Sequence, residues 1–384
     1  MEEYRLMKRS VMIIAALTVL LALFVPLAPA QTQPAAQDPA KEEADAYKAW
    51  YDAYTAKDLT KEIELGKAFV QKFPSSKNAD YVKKDIARAR GILFNQALQQ
   101  KNMDEMIRIG KEVLAEDPDN LDYLSAMAVH LSTNELFAKT PNYSHAADIV
   151  DFTNRALRLI EAGKTPTGDP SKFDKAKTQA FFHRALAAVE DKEGGNTDRA
   201  IQQYMEVAKL EPMNAANYFQ CGRLHQLKYT AAAKKYEAIP QADRDAAPAE
   251  MKPDVKAALD ELNREADAVI NCWVRFLGLT ATDMKGWESL RPKIQETVTT
   301  LYKYRNNDST AGLDKLIEQN KGATPVSMPP PSAAPATASA PAGATTTSAK
   351  PMADQGGTAA KPNSSAPAKT TAAPAKPNGK KPRR

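Results

Sequence analysis

One pattern occurs three times in the chain and limits the folds it can adopt. In each copy an isoleucine stands eleven residues before a proline, and a phenylalanine or valine stands five residues before it. The copies are Ile63, Phe69 and Pro74; Ile107, Val113 and Pro118; and Ile201, Val207 and Pro212. The second copy follows the first by 44 residues, and the third follows 94 residues later. Self-similarity at a period of roughly 20 to 50 residues is typical of stacked-repeat proteins, which present an extended surface to other molecules.

The residues around each copy predict a helical hairpin. From about residue 41 to 320 the apolar residues follow helical spacing, and the alternation typical of strands is absent. Sixteen residues before each proline stands a residue type that tolerates the left-handed end of a helix: Asp58, Asn102 and Asn196. Two residues later stand the predicted caps of the next helix: Thr60, Asp104 and Asp198. The proline then ends that helix, because it restricts the residue before it.

Three sets of four residues carry a resemblance to a known family. The third copy supplies Ala200, Tyr204, Val207 and Pro212, followed by Tyr218, Cys221, Gly222 and His225. The four positions that correspond to Tyr218, Cys221, Gly222 and His225 in the helix after Pro118 hold Leu124, Met127, Ala128 and Leu131. This arrangement resembles the tetratricopeptide repeat, and the Phe-Pro-Ser-Ser ending at 73–76 is similar to repeats of bacterial envelope proteins. Gly66 and Gly110 depart from it, since the family has an aromatic residue there.

The resemblance implies an all-α fold with a right-handed superhelical solenoid of antiparallel helical hairpins. Residues 44–240 are expected to form the repeats, and a helical region at 241–323 is expected to cap them. In this family the first helix of each hairpin lines an inner groove that accepts an extended or helical peptide. The candidate groove residues are Gln179, Arg184, Asn217, Tyr218, Gln220, Arg223 and His225. The alternative is that they are ordinary packing or solvent-facing residues.

The N-terminus is typical of an export signal. Arg5, Lys8 and Arg9 precede an apolar run at 11–25, and a small-x-small site ends at Ala30. About 15 apolar residues are short for a membrane span, which needs about 20, but suit a secretory signal. We therefore expect a signal peptide at 1–30, cleavage after Ala30 and a periplasmic or extracellular protein, with an uncleaved anchor as the alternative. Residues 31–43 are expected to be a disordered linker.

The C-terminal segment 324–384 has a composition of its own. It holds 12 of the 26 prolines, and its eight Lys and Arg residues face a single acid, Asp354, for a net charge of +7. Such a segment is predicted to be disordered. Outside the cytoplasm it would meet anionic cell-wall polymers or membrane surfaces, or serve only as a solubilising tail. The central region is close to neutral, so we expect no nucleic-acid partner.

The sequence contains no catalytic or metal-binding motif of a known type. HExxH, GxSxG, GxGxxG and phosphate-loop patterns are absent. We therefore predict no enzyme activity, no cofactor and no metal. The two cysteines, Cys221 and Cys272, are expected either to pair or to be buried free thiols. The leading hypothesis is a protein-binding scaffold. The second is a wall- or membrane-associated structural protein that binds through its basic tail, and the third is an accessory subunit of an enzyme complex acting on envelope polymers.

Overall fold

A computed structural model describes residues 38–167, 173–192, 194–322 and 324–327. Within these ranges the regular structure is helical, without a β-strand. The α-helices are α1 Pro39–Ala56, α2 Leu59–Lys72, α3 Ala79–Gln99, α4 Met103–Glu116, α5 Leu121–Leu131, α6 Ala146–Glu161, α7 Lys175–Glu190, α8 Thr197–Leu210, α9 Ala215–Glu237, α10 Gln241–Arg244, α11 Pro253–Leu279, α12 Arg291–Arg305 and α13 Leu313–Gln319. A π-helical turn, Ser132–Leu136, continues α5. The expected export signal and all but four residues of the expected tail lie outside the described residues.

The three copies of the repeated pattern adopt the same local structure. They form α2, α4 and α8, each 14 residues long, and each ends two residues before its proline. The first residue after each helix has almost the same backbone angles, with φ between −124° and −132° and ψ between 60° and 87°. Proline disfavours the α conformation in the residue before it, so the predicted ends of these helices are confirmed.

The predicted starts of these helices need a correction. Asp58, Asn102 and Asn196 do not end the preceding helix but cap the next one. Each side-chain oxygen accepts a hydrogen bond from the backbone N–H three residues later, at 3.1–3.2 Å. In the first two copies the left-handed residue is the preceding lysine, Lys57 or Lys101. The predicted caps Thr60, Asp104 and Asp198 therefore stood two residues too late and lie inside the first turn of each helix. Asp and Asn suit both the cap and the left-handed position, which is why the local pattern was misleading.

The chain forms two compact units, one up to Ile92 and one from Leu93 onward. In the first unit the core consists of Trp50, Phe69, Val82 and Ile86. Helix α1 begins at Pro39, and the Asp38 carboxylate accepts from the N–H of Ala40 at 3.0 Å. The last residues of the expected linker, 39–43, are therefore helical.

In the second unit the helices pack mainly on their neighbours along the chain. The helices from α4 to α9 each pack on the next, then α9 packs along α11, and α11 packs on α12 and α13. The longest helices of this unit, α9 and α11, share the largest interface. The expected helical region at 241–323 begins with the short helix α10. No helix within the described residues combines the length and apolarity needed to cross a membrane.

Candidate functional site on helix α9

Helix α9 carries five of the seven predicted groove residues, and α11 determines which of them reach the surface. Asn214 caps α9 by accepting from the N–H of Ala216 at 3.1 Å. Trp273 of α11 lies against the backbone of α9 at Gly222, and its indole N–H donates to the carbonyl oxygen of Phe219 at 3.3 Å. One side of α9 is therefore part of the core.

Two of the predicted groove residues belong to that core. Asn217 is 1% exposed and Tyr218 is 6% exposed. The Tyr218 hydroxyl donates to the carbonyl oxygen of Pro212 at 3.3 Å, and the Arg275 guanidinium lies 5.3 Å from the centre of its ring. A partner on the surface cannot reach these two side chains, so the structure contradicts their placement in a groove. Arg275 of α11 covers the ring of Tyr218, and the Asn217 amide donates to the carbonyl oxygen of Glu211, before α9, at 3.4 Å.

The other five predicted groove residues are half-buried, and four of them form ion pairs or hydrogen bonds between or along helices. Arg184 of α7 pairs with Glu211, just after α8, at 2.7 Å. Arg223 of α9 pairs with Asp191, the residue that follows α7, and its Nε donates to Gln220 at 2.8 Å. Gln179 also lies half-buried on α7. The first pair joins α7 to the residue after α8, and the second joins α9 to the residue after α7, so a packing role is shown for Arg184 and Arg223.

His225 is the centre of a charged network between α9 and α11. Its Nδ1 lies 2.7 Å from Oε2 of Glu265, a carboxylate that is 2% exposed. A carboxylate only accepts hydrogen bonds, so Nδ1 carries the proton. Lys228, one turn further along α9, reaches the other oxygen of Glu265 and also Asp198, both at 2.8 Å.

The network determines the ionisation of its members. Burial by itself would raise the pKa of Glu265, but the hydrogen bonds from Lys228 and His225 outweigh it, and the pKa is lowered. Burial would lower the pKa of Lys228, but its bonds to Asp198 and Glu265 raise it. Both groups are therefore charged at neutral pH, which holds the two helices together electrostatically.

An open cleft of about 630 Å³ lies beside this network. Its lining residues come from the turn before α8, the first residues of α8, the last residue of α7 and the middle of α9. They are Glu190, Gly194, Gly195, Asn196, Thr197, Asp198 and Lys228. The cleft presents two carboxylates and one ammonium group to solvent, which suits polar or charged groups of a ligand.

Cys221 and Cys272 form a disulfide that joins α9 to α11, with their Cα atoms 6.0 Å apart. Of the two alternatives that the sequence leaves open, the structure has the paired form. A ring nitrogen of His225 and both sulfurs lie within 4.8 Å of one another. Two Cys and one His at this spacing have the chemistry of a zinc-ligand set.

A second histidine cluster lies at the π-helical turn. Nδ1 of His145 contacts the buried carboxylate of Glu135, and Nε2 lies 3.0 Å from Asp104. Burial would lower the pKa of His145, but these two carboxylates outweigh it and raise the pKa. Both nitrogens face acceptors, so the imidazolium form fits the contacts best.

Sequence reasoning did not single out Glu190, Lys228 or Glu265 as functional residues. A local signal existed for Lys228. It follows Cys221 and His225 at the spacing i, i+4 and i+7, which places the three residues on one helical face. Glu265 lies 40 residues beyond His225, and no local pattern connects them.

Comparisons with known proteins add no relative to this description. No protein-family model matches the chain, and no curated protein sequence matches it significantly. The resemblance to tetratricopeptide repeats therefore stays a prediction from the sequence.

Proposed function

We propose that the chain is a non-catalytic protein-interaction scaffold of the bacterial cell envelope. A segment of a partner protein would dock where α7, the start of α8 and α9 meet. The observation that carries the proposal is the open cleft between Glu190, Asp198 and Lys228, whose charged groups are reachable from solvent. A partner segment with a basic side chain would compete with Lys228 for Asp198, and one with an acidic side chain would approach Lys228.

The packing of the second unit supports a repeat architecture for this scaffold. Successive helices pair with chain neighbours, and the three helices of the repeated pattern, α2, α4 and α8, share one length and one mode of capping. These features agree with stacked helical hairpins of the tetratricopeptide type, in which partners bind on surfaces shared by successive helices. Gln179 of α7 and Gln220 of α9 are half-buried, but they do not line this cleft.

Two observations support a location outside the cytoplasm. The N-terminal sequence has the basic, apolar and small-residue order of an export signal. The Cys221–Cys272 disulfide belongs to the kind of bond that persists in oxidising compartments.

Site-specific photo-crosslinking in the envelope tests this function. A photoreactive amino acid at Thr197, inside the cleft, is expected to give one defined protein adduct. The same group at Glu206, which is half-buried like Thr197 and lies on the same helix α8 but outside the cleft, is the matched control and is expected to give none. The charge reversals Asp198→Lys and Glu190→Lys are expected to abolish the Thr197 adduct. Equal adducts from both positions, or an adduct that survives both reversals, would contradict the proposal.

The second candidate function, a wall- or membrane-associated protein that binds through its tail, is favoured by the net charge of +7 in residues 324–384. Deleting 324–384 separates it from the first. If the Thr197 adduct survives the deletion, the helical region binds the partner. If association with the cell wall is the only property lost, the tail is the binding element and the helices act as a spacer.

A further inference from the structure

The disulfide between α9 and α11 lies beside the imidazole of His225, which can bind a metal ion through a ring nitrogen. Cys221 and His225 are four residues apart on α9 and therefore share a face of that helix. Cys272 faces them from α11, and the two sulfurs and a His225 ring nitrogen lie within 4.8 Å of one another. These three side chains come from two helices that already share the largest interface of the unit.

We propose that reduction of the Cys221–Cys272 disulfide converts this cluster into a binding site for Zn²⁺ or a similar thiophilic divalent metal. Its ligands are Cys221, His225 and Cys272. A dithiol reductant supplies the two electrons and two protons that turn the disulfide into two thiols, and becomes a disulfide itself. The metal ion then displaces one proton from each thiol and binds the two thiolates. The inference goes beyond the proposed scaffold function and does not depend on it.

The geometry of the cluster is close to what zinc requires. Zn–S bonds of about 2.3 Å in a tetrahedral site place two sulfurs about 3.8 Å apart. Once the S–S bond is broken, rotation of two side chains whose Cα atoms are 6.0 Å apart provides that separation without moving the helices. The 4.8 Å limit on the present spacing leaves only a short movement for the imidazole.

Glu265 holds His225 in the form that a metal needs. Because Nδ1–H donates to Glu265 at 2.7 Å, the neutral ring has its lone pair on Nε2. Metal-bound histidines commonly donate their other N–H to a carboxylate, which orients the ring and makes it a stronger ligand. The carboxylate is 2% exposed, so water competes little for this bond.

The charges around the cluster are compatible with a divalent cation. Two thiolates neutralise the ion, and the nearby acids Glu265 and Asp198 face the cations Lys228 and Arg264. The side chain of His225 is 17% exposed, which provides a route for the ion from solvent. Three protein ligands leave one tetrahedral position for water. The metal would join α9 to α11 in the reduced protein, as the disulfide does in the oxidised one.

A titration of the full-length protein with Co²⁺, a spectroscopic substitute for Zn²⁺, tests the site. In the reduced protein we expect one equivalent to bind with a sulfur-to-cobalt charge-transfer absorption that Zn²⁺ removes by displacement. The oxidised protein is expected to show no such absorption. His225→Ala should weaken binding at least about tenfold, as loss of a ligand or its supporting contact does. His183→Ala, on the neighbouring helix α7 and paired with Gln203, is the matched control and should bind as the parent does.

A second measurement avoids variants altogether. Zn²⁺ should slow alkylation of the two thiols in the reduced wild-type protein by at least about tenfold, because bound thiolates are shielded. The proposal is overturned if the reduced protein shows no charge-transfer absorption and no protection from alkylation. Equal Co²⁺ affinity of the oxidised protein, or parental affinity of a folded His225→Ala variant, would overturn it as well.

Discussion

The indole ring of Trp273 lies directly on the backbone of Gly222, in the space where any other residue would carry its β-carbon. A β-carbon at Gly222 would stand 2.7 Å from Cε2 of Trp273 and closer still to Cδ1 and Nε1. Both residues are buried, and the same indole donates to the carbonyl oxygen of Phe219. The close approach of α9 and α11 at the centre of the second unit therefore depends on the missing side chain.

Gly222→Ala is expected to destabilise the protein by about 1–3 kcal/mol, the usual cost of overpacking a rigid core. The measurement is urea unfolding followed by circular dichroism. Gly110→Ala is the matched control, because there the added β-carbon meets the flexible end of the Met127 side chain. That end of the side chain can move, and alanine favours the helix over glycine by about 0.5–1 kcal/mol. Gly110→Ala should therefore lose less unfolding free energy than Gly222→Ala. Equal losses at the two glycines would contradict the interpretation.

Reduction of the Cys221–Cys272 disulfide is expected to lower the free energy of unfolding. The bond closes a loop with a sequence separation of 51 residues, and restriction of the unfolded chain by such a loop is worth up to about 4 kcal/mol. Urea unfolding with and without reductant, in the presence of a chelator, measures the difference. The double variant Cys221→Ser, Cys272→Ser should be less stable than the oxidised protein and should not respond to the reductant. A response of that variant would show that the reductant acts elsewhere.

Glu62 should make the stability of the first unit depend on pH. Its carboxyl group is fully buried next to Asp85, and desolvation together with that neighbour raises its pKa to about 8, despite the pairing with Arg88 at 2.7 Å. A raised acid pKa favours the folded state at low pH. The contribution is complete below the unfolded value of 4.5 and is lost as the pH rises through about 8. One pKa unit corresponds to about 1.4 kcal/mol, so the total loss is on the order of a few kcal/mol.

The urea midpoint of the first-unit transition, measured between pH 5 and pH 9, checks this prediction. Glu62→Gln, which does not titrate, should flatten the profile. Glu64→Gln, on the same helix but exposed, should leave it as in the parent. A profile unchanged by Glu62→Gln would show that another group titrates.

The two histidines flanking the π-helical turn should titrate on opposite sides of the ordinary value of 6.5. Contacts with Glu135 and Asp104 outweigh burial and raise the pKa of His145, whereas burial lowers that of His130. The stabilisation from His145 is complete below pH 6.5 and is lost as the pH rises through its higher folded pKa. Nuclear magnetic resonance titration of the imidazole signals, assigned with His145→Gln and His130→Gln, measures both. A His145 pKa at or below that of His130 would contradict the structure.

Local patterns predicted the helices α2, α4 and α8 because the signals that begin and end them are local. Pro118 restricts Asp117 whatever surrounds it, and the side chain of Asn102 reaches an N–H three residues away. The pattern did not distinguish an asparagine that caps the next helix from one that ends the preceding helix, because asparagine adopts the backbone conformations of both positions. Only the observed left-handed Lys101 decides between them.

The candidate site was predicted less well, and Tyr218 shows why. Its place in the repeat resemblance suggested a groove, yet Arg275 of α11 packs on its ring. Arg275 lies 57 residues further along the chain, and helical spacing indicates which residues share a face but not which element covers that face. The same limit applies to His225 and Glu265, whose contact joins two helices.

The sequence by itself determined the helical class, the three equivalent helices and their proline ends, because capping and backbone restriction act within a few residues. The tertiary structure decided that Cys221 pairs with Cys272, that Tyr218 is buried and that Lys228 joins Asp198 to Glu265. These outcomes depend on how α9 and α11 pack, and that packing depends on contacts between residues about 30 to 60 positions apart, including the fit of Trp273 onto Gly222.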